Sequence, residues 1–342
     1  MVPFAGYSMP VQYASIIAEA KAVRSGAGMF DVSHMARLKI AGPGVEAFLE
    51  LVTTNDVSKL ANGQGQYSLL PNDHGGCVDD IIVYRVADGV YRMVVNAANH
   101  AKDTAWLGRH KPETVQIEDR TEDTFMLAVQ GPTATQILAG LSDCPEAFRN
   151  APAFGIVDAH LDGIAVFGAR SGYTGEDGYE LIGAANDADR LWLTLREAGV
   201  AACGLASRDT LRVEAGLPLY GHELEEDLSP ISAGLGWVVS KTKTFIGSES
   251  INAARAAGTP VKLQGVRLEG KRLTVPGMNV NFGEKCVGHV TSGVISPLLD
   301  CAIAFAFIDA DVPLGTPCTV DVRGNQEPAT IVSKRFFKRG GG

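Results

Sequence analysis

The pattern of apolar and turn-forming residues changes character near residue 240, and one regular architecture does not accommodate both parts. Before that point helical and strand periodicities alternate. Beyond it, GVRLEG, VGHVTSG and CTVDVRGNQEPATIVSK read as short strands punctuated by glycine and proline, the last pair turning around Gly324-Asn325. A chain of 342 residues also exceeds the size at which a single core stops growing. The expectation is a mixed region over residues 1–250 followed by a small antiparallel β-barrel over 260–339.

Local signals fill in the first region. Residues 43–52 carry Val45, Phe48, Leu49 and Val52 at helical spacing with Pro43 at the start, which predicts a helix. Asp80 to Tyr84 and Tyr91 to Asn96 are β-rich runs around Asp88-Gly89, a hairpin signal that puts Asp79 and Asp80 at the mouth of a buried strand. Residues 186–198 predict a helix capped by Asn186 and stopped by Gly199. Residues 207–215 predict another, capped by Ser207 and stopped by Gly216, with Arg208 at its start. The tail from Lys338 to Gly342 is expected to fray.

Charge and side-chain chemistry narrow the function classes. A net charge of -9 disfavours a nucleic-acid or membrane-surface binder, which needs a basic field. No run of 18 apolar residues and no signal-peptide pattern is present, so a cytoplasmic protein is expected. The six cysteines and seven histidines show no zinc-type spacing, and no metal site is expected. Chemistry must then come from carboxylates, hydroxyls, amides or a bound cofactor.

Three stretches concentrate such groups. In Asn72-Asp73-His74-Gly75-Gly76-Cys77-Val78-Asp79-Asp80, two adjacent acids introduce a strand that reads as buried. Strand alternation sends one inward and leaves the other to solvent or a turn amide, so the two should not share a role. An Asx turn opening the strand is the plain alternative, although Gly75-Gly76 allows the backbone to approach something bulky. In residues 171–180, SGYTGEDGYE, tight turns explain the glycines but not Glu180, an acid on a strand that needs a partner. A ring bearing amide and amine donors, such as a pterin, would be one, with Tyr173 available for ring contacts. The third, Leu219 to Asp227, reads either as a solvated acidic loop or as a docking or gating loop. Arg208 opposes the helix macrodipole, which predicts an anionic neighbour, either Asp209 or an acidic loop, or else a ligand. Gln130-Gly131-Pro132 lacks the spacing of a nucleotide-binding turn.

The phrases PFAGYSMPVQY, MFDVSHM, GQYSLL, GGCVDDIIVY, VVNAANHAKD, LAVQGP, SGYTGEDGYE, GLASRDTLRVEAGLPLYGHEL and GHVTSGVISP, in this order across nearly the whole chain, resemble the T-protein of the glycine cleavage system. The resemblance implies an α+β, three-domain cloverleaf around a central folate channel, with two interleaved subdomains before the barrel. It implies an aminomethyltransferase that moves a methylene carbon from the aminomethyl-lipoyl arm of H-protein to tetrahydrofolate and releases ammonia. Matched motif to motif, Asp80 corresponds to the family's essential aspartate. Glu180 and Arg208 match folate contacts, and Met35, Tyr67, Asn96 and Tyr173 match positions lining the same pocket. The chain departs from the family at Tyr7, where Trp is common, and over residues 270–277, and its first Met matches an internal one. A folate-dependent demethylase of a small N-methyl or S-methyl compound and a non-catalytic folate-binding relative are the alternatives. The second carries a KGCYxGQE motif that this sequence lacks.

Overall fold

The computed structural model describes residues 1–340; Gly341 and Gly342, the end of the tail expected to fray, lie outside the described residues. Two large sheets and a barrel organise the chain, after a two-stranded hairpin of Val2–Phe4 and Tyr7–Met9. The five-stranded sheet is antiparallel throughout, in the order Gln64–Pro71, Cys77–Ala87, Val90–Val95, Ala36–Ala41 and Gln116–Asp119. The six-stranded sheet runs Ile156–Leu161, Ile164–Ala169, Gly178–Ala184, Thr124–Gln130, Gly28–Asp31 and Ala201–Ala202, with only the last pairing parallel. Because Gly28–Asp31 belongs to one sheet and Ala36–Ala41 to the other, the two units interleave along the chain.

Six strands between Val261 and Val332 close into a barrel, sealed by the pairing of Val261–Leu268 with Asn325–Val332. Strand Pro317–Val322 shows the period-two pattern of a closed sheet: Cys318, Val320 and Val322 are buried in the barrel core, and Pro317, Thr319 and Asp321 between them are not. The expected turn is there: Pro317–Val322 and Asn325–Val332 are joined at Arg323-Gly324, both at positive φ. The α+β, three-unit architecture expected of the chain is thus observed.

Helix Val45–Val52 buries Val45, Phe48, Leu49 and Val52 against Leu38, Ile40, Val83 and Met93 of the five-stranded sheet. It starts two residues later than Pro43, because Gly44 takes the left-handed conformation at its cap. Two other predicted caps also move. A 3₁₀ turn, Ala185–Asp187, precedes helix Ala188–Glu197, so Asn186 is not its cap. Helix Leu205–Ala215 starts before Ser207, because the Glu19 carboxylate accepts from the Gly204 amide at 2.8 Å and the Ser207 hydroxyl at 2.9 Å. A distant acid does there what a local cap does elsewhere.

A shared apolar cluster joins the sheets: Phe30, Met126, Phe167 and Ile182 from one, Tyr84 and Val94 from the other, and Leu211 of helix Leu205–Ala215. The same helix contacts the barrel, where Ser296 donates to Glu214 at 2.5 Å. Arg24 binds Glu214 at 2.8 Å and Glu176 at 3.1 Å. Helix Leu205–Ala215 is therefore the post on which all three units meet.

Candidate active site

Strand Cys77–Ala87 pairs with Gln64–Pro71 so that Asp80 faces Leu69 and Asp79 faces Leu70. Its entry is set by the double glycine. A Cβ on Gly76 would lie 1.6 Å from the Glu226 carbonyl oxygen, so the bulky neighbour is the backbone of loop 225–227. Cys77 donates its amide to the Glu225 carbonyl at 3.0 Å. The Asx turn exists, but Asn72 builds it, accepting from the amides of His74 and Gly76 at 3.0 and 2.9 Å. Both aspartates are thereby left free for other partners.

They go to opposite faces, and neither is turned out to solvent as a bystander. Asp79 is 0 % exposed and accepts from the Asn96 amide at 2.9 Å, the Asn96 carboxamide at 2.8 Å and the Asn99 carboxamide at 2.6 Å. The backbone amide is that of Asn96, just past strand Val90–Val95, rather than one in a turn beside Asp79, and solvent is not among its partners. Asp80 accepts from the Tyr67 hydroxyl and from Asn96 Nδ2, each at 2.9 Å, and keeps some exposure on its remaining side. Burial, then the like charge of Asp79, push the Asp80 carboxyl up to about 7, against the pull of its Tyr67 and Asn96 hydrogen bonds. A carboxyl tuned to neutrality can hold or release a proton under physiological conditions.

The second group comes from the six-stranded sheet. Glu180 lies in the interior strand Gly178–Ala184, between Ala169 and Ala128, and accepts from the Ser171 hydroxyl at 2.5 Å. Ser171 in turn contacts the Tyr84 hydroxyl at 3.1 Å, which links this acid to the five-stranded sheet. Arg208 does not pair with Asp209, because Asp209 binds Arg212 at 2.8 Å. Its guanidinium instead sits 4.9 Å from the Tyr173 ring centroid and within the field of Glu180. Nη1 of Arg208 is buried with no hydrogen-bond partner among the described residues. A buried guanidinium N–H without an acceptor costs about 1–3 kcal/mol or more, so this is the atom at which an incoming oxygen gains most.

Tyr173 joins the two groups. Its hydroxyl donates to the Pro218 carbonyl, and the charges of Asp80 and Arg208 both act on it. Tyr67, Asn96 and Asp80 are thus hydrogen-bonded together, Tyr173 and Arg208 are stacked, and Glu180 faces Arg208. Met35 packs, partly buried, against the shared apolar cluster.

Two features escaped the sequence reading. Glu223 is not part of a solvated loop: it is 0 % exposed, bound to Arg212 at 2.9 Å and to Ser292 at 2.7 Å, and it pins the stretch to helix Leu205–Ala215 and the barrel. Glu225, Glu226 and Asp227 do remain exposed. Trp237, 70 % exposed, stacks on Tyr67 at 6.0 Å between centroids, and nothing in its local sequence marks it. Among the described residues no three His, Cys, Asp or Glu side chains cluster as a metal site, and no helix is long and apolar enough to cross a membrane.

Residues 1–243 match the family model of the GCVT N-terminal domain, and residues 262–338 match that of the glycine cleavage T-protein C-terminal barrel domain. The chain belongs to the glycine cleavage T-protein family. Family members named aminomethyltransferase include one from Thermus thermophilus, 46% identical over 97% of this chain and 93% of its own length. One from Cutibacterium acnes is 44% identical over 98% and 94%. The crystal structure of glycine cleavage system aminomethyltransferase T from Bartonella henselae superposes with a TM-score of 0.91 at 31% identity, covering 99% of this chain and 94% of that one. The chain is accordingly an aminomethyltransferase of the glycine cleavage system, as its phrases implied, and the T-protein fold accounts for the interleaved sheets and the barrel.

Proposed function

We propose that tetrahydrofolate binds among Asp80, Tyr67, Asn96, Tyr173, Glu180, Arg208 and Met35, and that Asp80 is the reacting carboxylate in transfer from aminomethyl-lipoyl H-protein. One juxtaposition carries the reading. A guanidinium with a buried, unpartnered Nη1 lies 4.9 Å from the Tyr173 ring centroid, and the charge of Asp80, whose carboxyl is pushed up to about 7, acts on the same tyrosine.

The residues fit the co-substrate. Glu180 is held by Ser171 on one oxygen only, and no hydrogen bond from the described residues reaches the other, which suits the ring donors of a pterin. Arg208 Nη1 suits a ring oxygen, and the guanidinium on Tyr173 keeps a flat wall beside it. When bound, tetrahydrofolate supplies the nucleophilic nitrogen that takes the one-carbon unit.

The chain's own contribution is placement and charge. Glu180 and Arg208 fix orientation, which converts an encounter into a positioned reaction. Asp80, ionised, opposes the positive charge that builds on the transferred carbon as ammonia departs and the carbon–sulfur bond breaks to leave the lipoyl arm as its thiol, and it can take up the proton released by the nucleophile. Tyr67 and Asn96 hold its two oxygens, so the charge needs little reorganisation. The same reading takes the enzyme to be cytoplasmic and lipoylated H-protein to be its partner. Incubation with aminomethylated H-protein and tetrahydrofolate should release ammonia; folate binding without ammonia would overturn the reading.

A further inference from the structure

Beside Asp80 lies a second acid that the transfer leaves without a role. Helix His100–His110 and the residue capping it lay Asn99 and Asp103, one turn apart, against the face of strand Cys77–Ala87 that carries Asp79. Asp79 and Asp103 are both 0 % exposed. Asp79 receives three N–H bonds, two from Asn96 and one from Asn99. Neither oxygen of Asp103 receives any from the described residues.

The titratable groups facing Asp103 are Asp79, Asp80 and Cys77 from the strand and Lys102 from its own helix. Lys102 is the one cation among them, and its ammonium is directed away, to the Tyr220 hydroxyl at 2.6 Å and to Glu226 at 3.0 Å. Two buried carboxyls in contact without a neutralising partner do not both ionise. The donors differ between the two: Asp79, with three, is suited to carry the negative charge, and Asp103, with none, is suited to keep a proton.

We propose that Asp103 is a positioning residue for the transfer: its protonated carboxyl donates to Asp79, and this holds a single negative charge and the Asn96 carboxamide in place beside Asp80. The connection runs through Asn96 Nδ2, which donates to Asp79 at 2.8 Å and to Asp80 at 2.9 Å. Burial and then the charge of Asp79 push Asp103 up to about 10, so it stays neutral while Asp80 titrates. A second charge at Asp103 would make Asp80 harder still to ionise.

Infrared spectroscopy reads the proton directly, because a protonated carboxyl has a C=O band separate from carboxylate. At pH about 8.5, above the about 7 of Asp80 and below the about 10 of Asp103, wild-type enzyme should retain one such band, and Asp103→Asn should lose it. Asn retains an N–H donor for Asp79, so Asp103→Asn should leave the acid limb of the turnover–pH profile in place. Asp103→Ala removes the donor and should displace that limb to higher pH. No wild-type band at that pH, a band surviving in Asp103→Asn, or equal displacement in both variants would each overturn the proposal. Should Asp103→Asn not fold, the wild-type band alone decides the protonation. The limb rests on Asp80 being the reacting carboxylate; the band does not, so the two failures are distinguishable.

Discussion

Replacing Asp80 by Asn should stabilise the protein while disabling it, and the gain should depend on pH. In the folded chain the carboxyl rises from 3.8 to about 7, by burial and by Asp79. Between those values the folded state binds a proton that the unfolded state does not. Stability contributed by the neutral acid is therefore full below the unfolded value and is lost as pH rises toward the folded one. About three units at 1.36 kcal/mol each set a ceiling of about 4 kcal/mol on the cost of ionised Asp80. Solvent reaching its open side reduces that to roughly 2–3 kcal/mol. The substituted carboxamide keeps the volume, and the Tyr67 hydroxyl can rotate to accept, so any fixed offset cancels when each protein is compared with itself. Denaturant unfolding at pH about 4 and about 8.5 measures the quantity needed. The advantage of Asp80→Asn over wild type should grow by roughly 2–3 kcal/mol between the two. An advantage that stays constant or shrinks as pH rises would refute the argument that burial and Asp79 strain this carboxylate.

Two further substitutions separate binding from support. Arg208→Met should weaken tetrahydrofolate by about tenfold to a hundredfold, the worth of one charged hydrogen bond, with stability unchanged or raised because a buried N–H without a partner is removed; calorimetry and thermal unfolding check both. Glu223→Ala leaves Arg212, 1 % exposed, with Asp209 as its remaining ion-pair partner and should cost about 3 kcal/mol in denaturant titrations, toward the low end for a broken buried pair.

What was legible in the sequence was local. The stripe Val45, Phe48, Leu49 and Val52, the Asp88-Gly89 hairpin and the barrel turn around Gly324, observed at Arg323-Gly324, were readable because periodicity and turn chemistry act over a few residues. The cap assigned to Ser207 failed for the opposite reason: Glu19, 185 residues from Gly204, supplies the acceptor at that helix. Glu223 looked solvated because its neighbours in sequence are acidic, while the groups that bury it, Arg212 and Ser292, come from another helix and from the barrel. At the site, alternation correctly sent Asp79 and Asp80 to different faces. It could not say which faced the reactants, and the family resemblance named Asp80. Asp103 carried no local signal, since its meaning depends on Asp79 across the helix–sheet packing.

The most direct test of the central claim compares turnover and tetrahydrofolate affinity in Asp80→Ala, with Asp79→Ala beside it. If Asp80 is the reacting carboxylate, ammonia release in Asp80→Ala should fall by about a hundredfold to a thousandfold or more, the usual worth of one group stabilising developing charge. Tetrahydrofolate should still bind within a few-fold of wild type, because Glu180 and Arg208 remain, and Asp79→Ala should lose less. Turnover and affinity falling together in Asp80→Ala, or equal losses from both substitutions, would contradict the account.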